Sequence, residues 1–275
     1  MKASALLLAV TNLAFAITVV ASVKSLGMIV KPLFGNVEVL LPPGASPLFW
    51  KPAPSQVEEA LKADIFLNTL HWPFERQIAE ARKGPTVPPP APGSPGKALE
   101  GLGFAIVSLP GGGPNPHGWW LYAPNAFLIM SESAAYGCSL RPEACASLTS
   151  AYLKEVKASR EVLESCRLDG KKAVVILPGE EYPLLNFGVK VIFVVSAKGP
   201  ASVTGLQLRR AVEALRSADF LVISDASDKL PVTKFLMAEA KRMGKPVVKV
   251  YLLDPPADSF HEYLRLTCGA LLEGK

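Results

Sequence analysis

The side chains best suited to chemistry in this chain of 275 residues are its three histidines. A neutral imidazole nitrogen binds zinc at about 2.0–2.1 Å and suits several other transition metals. His71 follows directly after a predicted strand, and His117 precedes a run of aromatic residues. Open α/β sheets bind ligands at the carboxyl ends of their strands, which favours His71 as a metal ligand, with His117 beside it. The alternative for each is a structural or surface histidine, and we expect His261 at the surface.

Carboxylates could complete a mixed nitrogen and oxygen site beside these histidines. Glu181 and its neighbour Glu180 follow one predicted strand, and Asp254 follows the last one. Carboxylate oxygens bind zinc at about 2.0–2.2 Å. We therefore predict a divalent metal site made of His71, His117, Glu181 or its neighbour, and Asp254. Two alternatives stay open: the glutamates form a solvated turn, and the aspartate caps a strand end.

Other functional classes find little support in the sequence. Neither GxSxG nor HExxH, two common catalytic motifs, occurs. The glycines at 111–113 are followed by neither the lysine nor the helix start of a phosphate-binding loop. The formal net charge of +5 is not concentrated in a basic run with interleaved aromatic residues. We therefore expect neither an enzyme nor a nucleic-acid-binding protein.

The first 16 residues have the features of an export signal. Lys2 supplies a positive start, residues 3–15 are nearly all apolar, and residues 14–16 fit the small-x-small cleavage rule. The apolar run is too short to cross a bilayer as a helix. We predict a signal peptide over residues 1–16 and an extracytoplasmic protein, with a buried first element as the alternative. No cysteine precedes Cys138, so we expect no lipid attachment at the cleavage site.

The four cysteines suit an oxidising compartment. Six residues separate Cys138 from Cys145, in a stretch expected to join two helices, so a disulfide here would close a small loop. Two ordinary thiols are the alternative. Cys166 and Cys268 could form a second pair, and the sequence leaves the connectivity open.

Short apolar stretches alternate with amphipathic helical ones along the chain. Residues 17–70 follow the order strand, helix, strand, helix, strand, which predicts a parallel sheet, and a second alternation starts at residue 172. Residues 148–168 carry apolar side chains at helical spacing without glycine or proline, which predicts one helix of about 30 Å. The expected fold class is α/β: two Rossmann-like lobes with parallel sheets, joined by a long rigid helix.

Finer predictions follow from local signals. We expect an N-terminal lobe over residues 17–147, the joining helix over 148–168 and a C-terminal lobe over 169–275. Ser55 is expected to cap a helix, because Glu58 stands three residues later. Proline-rich residues 83–96 are expected to form an exposed insertion, and residues 104–113 a strand that ends in a glycine loop.

Several segments resemble, in order, the zinc and manganese substrate-binding proteins of ABC importers. Residues 41–67 carry PPGASP, a Pro-Ser pair before a helix and an Ala-Asp pair before a strand, as the family motif PPGASPHxYEPTPSD and its following strand do. Residues 116–126, PHGWWLYAPNA, are similar to the family's PHxWLDPxNA, and residues 180–196 to its tyrosine-and-strand passage. The resemblance spans nearly the whole chain after residue 16.

Such proteins hold a metal between two lobes, typically by three histidines and one carboxylate. The resemblance therefore implies zinc or manganese as the transported ligand and an ABC permease as partner, and we expect a monomer. Residue by residue, the first histidine position is Leu48, the second is His117, the third is Leu177 or Pro178, and the carboxylate is Asp254. The family's tryptophan beneath the metal corresponds to the stretch at 119–120, where a plain core position is the alternative.

Leucine has no lone pair to offer a cation, so the departures at Leu48 and Leu177 leave three functions open. The first is capture of a divalent cation. The second is the same fold with a non-metal or chelated solute in a more apolar cleft. The third is a cell-surface protein that keeps the fold, binds no solute and acts through protein contacts.

Overall fold

The chain folds around two four-stranded parallel sheets, which confirms the predicted fold class. A computed structural model describes residues 17–109, 112–197 and 203–274, so the predicted export signal lies outside the described residues. The first sheet has the order β2-β1-β3-β4 and the second β6-β5-β7-β8. The strands are β1 (Val19–Ala21), β2 (Glu38–Val39), β3 (Ile65–Leu67), β4 (Thr86–Val87), β5 (Lys172–Val175), β6 (Lys190–Val194), β7 (Phe220–Ser224) and β8 (Val247–Val250).

Helices cover both faces of each sheet, as parallel strands require. Helices α2 and α3 pack on the outer face of the first sheet, and α8 and α9 on that of the second. Within the described ranges, no helix is both long and apolar enough to span a membrane. The helices are α1 (Lys24–Phe34), α2 (Pro54–Lys62), α3 (Pro73–Ala81), α4 (Pro95–Gly101), α5 (Ala123–Leu140), α6 (Cys145–Ser165), α7 (Glu181–Leu185), α8 (Gly205–Ser217), α9 (Pro231–Arg242) and α10 (Phe260–Glu273), with short 3-10 turns at Trp119–Leu121, Pro142–Ala144 and Pro178–Glu180.

The longest helix, α6, lies where the sequence predicts a joining helix. It begins at Cys145, three residues before the expected start, and ends at Ser165 because Cys166 leaves the helical conformation. It packs against α1, α5 and α10. One continuous apolar core therefore runs through both lobes, from the inner face of the first sheet to the inner face of the second.

The predicted cap of α2 at Ser55 is wrong, because the helix begins one residue earlier. Pro54 takes the first helical position, where its missing N–H costs nothing. The Gln56 side chain then accepts the backbone N–H of Ala53 at 2.9 Å. Glu58 instead pairs with Lys62 one turn further along.

Two loop predictions are also corrected. Residues 83–96 are not wholly an exposed insertion, since Thr86–Val87 form β4, buried at the edge of the first sheet. An edge position tolerates the prolines around it. Residues 104–109 add no strand to either sheet; they turn back through a single bridge between Ser108 and Pro114. Of the glycines at 111–113, the first lies outside the described residues.

The two lobes meet closely at the loops that follow their strands. Gly118 has φ of +74° and lies so near the opposite lobe that a Cβ atom there would stand 2.7 Å from the Gly179 carbonyl oxygen. A second contact between the lobes lies at Ser25, whose N–H donates to the Leu253 carbonyl at 3.0 Å and whose hydroxyl donates to the Leu252 carbonyl at 2.6 Å. The interface that contains these two contacts is called the seam below. Backbone contacts therefore bring the lobes together at these two points, and residue 118 has no room for a side chain.

Both predicted cysteine pairs are disulfides. Cys138 and Cys145 join the end of α5 to the start of α6. Cys166 and Cys268 join the end of α6 to α10 across 102 positions of sequence. The second bond therefore ties the joining helix to the last helix of the chain.

We expect the two disulfides to differ in their contribution to stability. The chain-entropy estimate is about 2.5 kcal/mol for the short loop and about 4.7 kcal/mol for the long one. Cys166→Ala with Cys268→Ala should therefore lower the free energy of unfolding by about 2 kcal/mol more than Cys138→Ala with Cys145→Ala. Urea unfolding of the two double variants measures the difference, and equal losses would contradict the loop-length argument.

Gly118→Ala should destabilise the protein more than Gly170→Ala does. Both glycines have positive φ, but a Cβ at Gly170 meets no atom within 4 Å. Backbone strain should lower the free energy of unfolding of the control, Gly170→Ala, by about 1 kcal/mol. In Gly118→Ala, overpacking should lower it by roughly 1–3 kcal/mol more. Urea unfolding midpoints report both values; similar midpoints would mean that the seam is looser than the structure shows.

Candidate functional site

His71 lies in the loop between β3 and α3, where a buried carboxylate holds the backbone. Glu75 accepts the backbone N–H groups of Thr69, His71 and Trp72 at 2.9, 3.0 and 2.9 Å. It also accepts the Thr69 hydroxyl at 2.7 Å. Burial raises the pKa of Glu75, and these hydrogen bonds oppose that rise. A glutamate at the third position of a helix that opens with Pro73 is a recognisable start signal, so the sequence contained a clue to this loop.

The residue before His71 has an unusual backbone conformation. Leu70 has φ of +58°, a region that bulky side chains rarely adopt. The Asn68 side chain stabilises it by accepting the Leu70 N–H at 2.9 Å, and it donates to the Pro88 carbonyl at 2.9 Å. A strained backbone conformation of this kind persists only where surrounding contacts hold it in place, and it often occurs near ligand sites.

His117 is held against the opposite lobe by Asn115, which is fully buried. The Asn115 side chain accepts the His117 N–H at 3.0 Å and donates to the Pro178 carbonyl at 3.0 Å. Its backbone carbonyl accepts the Tyr182 hydroxyl at 2.6 Å. An asparagine that bonds the N–H two residues later is a familiar turn signal, but the sequence does not show that the turn faces a second lobe.

The structure brings the two predicted histidine ligands together. The ring centroids of His71 and His117 are 4.4 Å apart, with their planes at 79°. Burial and, secondarily, the neighbouring His117 lower the pKa of His71 to about 3, and burial lowers the pKa of His117. Both imidazoles are therefore neutral at pH 7, the form that binds metals. Within the described part of the chain, His71 Nδ1 is buried without a hydrogen-bond partner.

The two neighbouring glutamates of the C-terminal lobe differ in burial and in hydrogen bonding. Glu180 is fully buried and accepts the N–H groups of Ile176 and Leu177 at 2.6 and 2.9 Å. It also accepts the hydroxyls of Ser224 and Ser227 at 2.7 and 2.5 Å, so its oxygens are occupied. Burial raises its pKa to about 7, against the effect of these bonds.

Glu181 is half-buried, and burial raises the pKa of its carboxyl group. Glu180 is thus a structural support, which corrects the view of this pair as a solvated turn. Of the two glutamates, Glu181 is the one whose carboxylate could bind a ligand.

Asp254 is placed at the seam between the lobes and is paired. Its Oδ1 lies 3.0 Å from Lys24 Nζ, at the start of α1 in the N-terminal lobe. Its backbone N–H donates to Asp225 at 2.7 Å, and the same carboxylate accepts the N–H groups of Leu252 and Leu253. Asp225 therefore shapes the loop after β8. The nearby Asp228 pairs with a lysine on β8.

The four predicted ligands do not form one cluster. Over residues 17–109, 112–197 and 203–274, no group of three or more His, Cys, Asp or Glu side chains could hold a metal ion. Leu48 stands 62% exposed, and Leu177 packs on the outer apolar cluster of the second sheet. His261 is not a free surface residue, since its Nδ1 lies 2.8 Å from the buried Glu155 of α6.

The tryptophans beside His117 are core residues. Trp119 and Trp120 are both buried in the continuous core. The Trp119 indole N–H donates to the Thr69 carbonyl at 3.0 Å, and that of Trp120 to the Ser25 hydroxyl at 2.9 Å. They thereby connect the His117 loop to the loop before His71 and to the start of α1.

Comparison with known structures shows the same fold. A Mn-bound periplasmic metal binding protein from Candidatus Liberibacter asiaticus is similar, with 17% identity over 93% of this chain and 98% of that one and a TM-score of 0.68. A Cd-bound periplasmic metal binding protein from the same organism matches with the same identity, shares and TM-score. A crystal structure of ZnuA has 15% identity over 94% of this chain and 99% of that one, with a TM-score of 0.70.

No curated protein sequence matches the chain significantly. A family model, however, matches residues 19–266, nearly the whole described chain, and its description is "Zinc-uptake complex component A periplasmic". The order of the segments that resemble substrate-binding proteins, the pair of parallel sheets and this match agree with one another. The chain belongs to the ZnuA family, the periplasmic A components of zinc-uptake complexes.

Proposed function

We propose that this protein is an extracytoplasmic substrate-binding protein that captures a divalent metal cation, zinc or manganese, and hands it to an ABC permease. Membership of a zinc-uptake family supports the transport role, and the Mn- and Cd-bound proteins of the same fold support a metal as cargo. Two disulfides suit an oxidising compartment outside the cytoplasm. We propose neither an enzymatic activity nor nucleic-acid binding for the protein, and we propose that it acts as a monomer.

The contact between His71 and His117 is the observation that carries this proposal. Both imidazoles are neutral and adjacent, and the backbone N–H of each histidine is held by a buried polar side chain of its own loop. Both lie in loops at the seam, and His71 follows the carboxyl end of β3, where ligands of open α/β sheets bind. We propose these histidines as the first ligands of the cation.

Glu181 and Asp254 do not join the histidines in one metal-holding group within the described residues, so we propose them as C-terminal-lobe ligands that a bound cation would draw toward the pair. Glu181 is only half-buried and lies beside the 3-10 turn that contacts the His117 loop. Asp254 already holds a cation at the seam, the ammonium group of Lys24, at 3.0 Å. A bound metal would compete with Lys24 for this carboxylate.

His71→Ala and His117→Ala should each weaken binding of Zn2+ by about 100-fold or more, because even loss of a residue that only orients a metal ligand costs about 10–100-fold. Calorimetric titration with Zn2+ and Mn2+ measures the affinities. His261→Asn is the matched control: it removes the remaining histidine, which bonds Glu155 away from the pair, and should keep the affinity of the unchanged protein. Binding no tighter than millimolar in the unchanged protein would overturn the metal proposal.

Leu48→His should tighten binding of Zn2+ by about tenfold or more, because it places an imidazole at the family's first ligand position. Leu153→His is the matched control, since Leu153 is 59% exposed on α6, close to the 62% exposure of Leu48. The control should leave the calorimetric affinity unchanged. An equal gain in both variants would mean that any exposed histidine suffices, and no gain in either would argue against a site beside residue 48.

A further inference from the structure

Lys24 occupies an unfavourable position in its own helix. It is the first residue of α1, whose first turn contains no acidic residue and whose start has no side-chain cap. The amino end of a helix carries a partial positive charge, so it repels a lysine and attracts a carboxylate. Lys31 lies in the last turn of the same helix, where a positive charge is favourable. Helix stability therefore accounts for Lys31 but not for Lys24.

The partner of Lys24 belongs to the opposite lobe. Its Nζ lies 3.0 Å from Asp254 Oδ1, and the hydrogen bonds from Ser25 to Leu252 and Leu253 fix the start of α1 on the same loop. Within the described ranges, Asp254 Oδ1 is buried and accepts no hydrogen bond, so the ammonium group of Lys24 is what balances its charge. The side chains of Lys24 and Asp254 are 41% and 33% exposed, so a cation from the solvent can reach the pair.

The loop that carries this aspartate also contacts the loop of a candidate histidine ligand. A Cβ atom at Gly179 would stand 3.2 Å from Leu252 Cδ1, two residues before Asp254. The same atom would stand 3.3 Å from the His117 carbonyl oxygen. The loops of Asp254 and His117 therefore meet at Gly179, and Lys24 holds a carboxylate beside the candidate site.

The charge of a bound cation favours displacement of Lys24. Of the two carboxylates proposed as ligands, Asp254 has an ion-pair partner within the described part of the chain and Glu181 has none. The oxygens of Glu180 and Asp225 are occupied by hydrogen bonds. Since the two imidazoles are neutral, a divalent ion with Glu181 alone would keep one unbalanced positive charge, which is unfavourable in a partly buried site. Asp254 balances that charge only after it leaves Lys24.

We infer that Lys24 is an internal competitor of the cargo: in the cation-free protein its ammonium group pairs with Asp254, and a divalent cation binds by displacing it. This inference rests on the proposed metal-binding function and adds a residue that sets its affinity. The carboxylate is then paired in both states, with Lys24 before binding and with the metal after it. Because Lys24 is tethered beside the site, it returns to Asp254 as the cation leaves, which favours release to the permease.

Calorimetric titration of Lys24→Gln and Lys31→Gln with Zn2+ tests this inference. Each variant removes one positive charge from α1 and one ion pair with the C-terminal lobe, since Lys31 pairs with Asp258 at 2.6 Å. Asp258 is not a proposed ligand, so Lys31→Gln is the matched control. We expect Lys24→Gln to tighten binding about fivefold, the scale of one partly exposed ion pair, and Lys31→Gln to change it by less than about twofold.

Asp254→Asn supplies a background in which the competition is lost, because Lys24 then has no carboxylate to release. In that background, Lys24→Gln should change the affinity for Zn2+ by less than about twofold. Lys24→Arg keeps both the positive charge and the ion pair, so it should not tighten binding. Circular dichroism of each variant checks that it is folded.

The outcomes separate this inference from the proposed function. If the unchanged protein binds Zn2+ but Lys24→Gln gains no more than Lys31→Gln, the ion pair is only a contact between the lobes: the inference fails and the proposed function stands. If Lys24→Gln gains as much in the Asp254→Asn background, its effect is general repulsion of cations, and the inference again fails alone. If neither the unchanged protein nor Lys24→Gln binds Zn2+ more tightly than millimolar, both fail.

Discussion

The site depends on one buried amide, that of Asn115. This residue is fully buried at the seam, and each polar group of its backbone and side chain has a partner. Two of those partners, Pro178 and Tyr182, belong to the C-terminal lobe, and one is the backbone of His117. An unpaired buried amide is costly, so its bonds fix the His117 loop and the position of the two lobes together.

Carboxylates stabilise the loops that carry the candidate ligands in the same way, and two of them, Glu75 and Glu180, are fully buried. Glu75 accepts the N–H groups of Thr69, His71 and Trp72 before α3 and so holds the loop of His71. Glu180 does this for the loop at Leu177 and connects it to the end of β7, and Asp225 does it for the loop that carries Asp254. These loops lie at strand ends, where backbone N–H groups lack sheet partners and must find acceptors elsewhere. The scaffold of the site is therefore polar and rigid, although the surrounding core is apolar.

The chain keeps the family's fold, but its candidate site differs from the ligand set that the sequence resemblance implies. The match over residues 19–266 accounts for the sheets and helices, whereas the leucines at two expected ligand positions remove metal donors. His71, which contacts His117, is the donor that we propose in their place.

The sequence by itself determined the fold class, the long helix and the candidate metal ligands, because hydrophobic periodicity and ordered motifs are local properties. It could not place the cap of α2 or the buried strand Thr86–Val87 within a proline-rich stretch, since an edge position in the sheet decides the latter. Only the tertiary structure decided that His71 contacts His117, that Lys24 forms an ion pair with Asp254 and that Glu180 is buried. These relations join residues tens or hundreds of positions apart, and the packing of two lobes, not local sequence, brings them within contact.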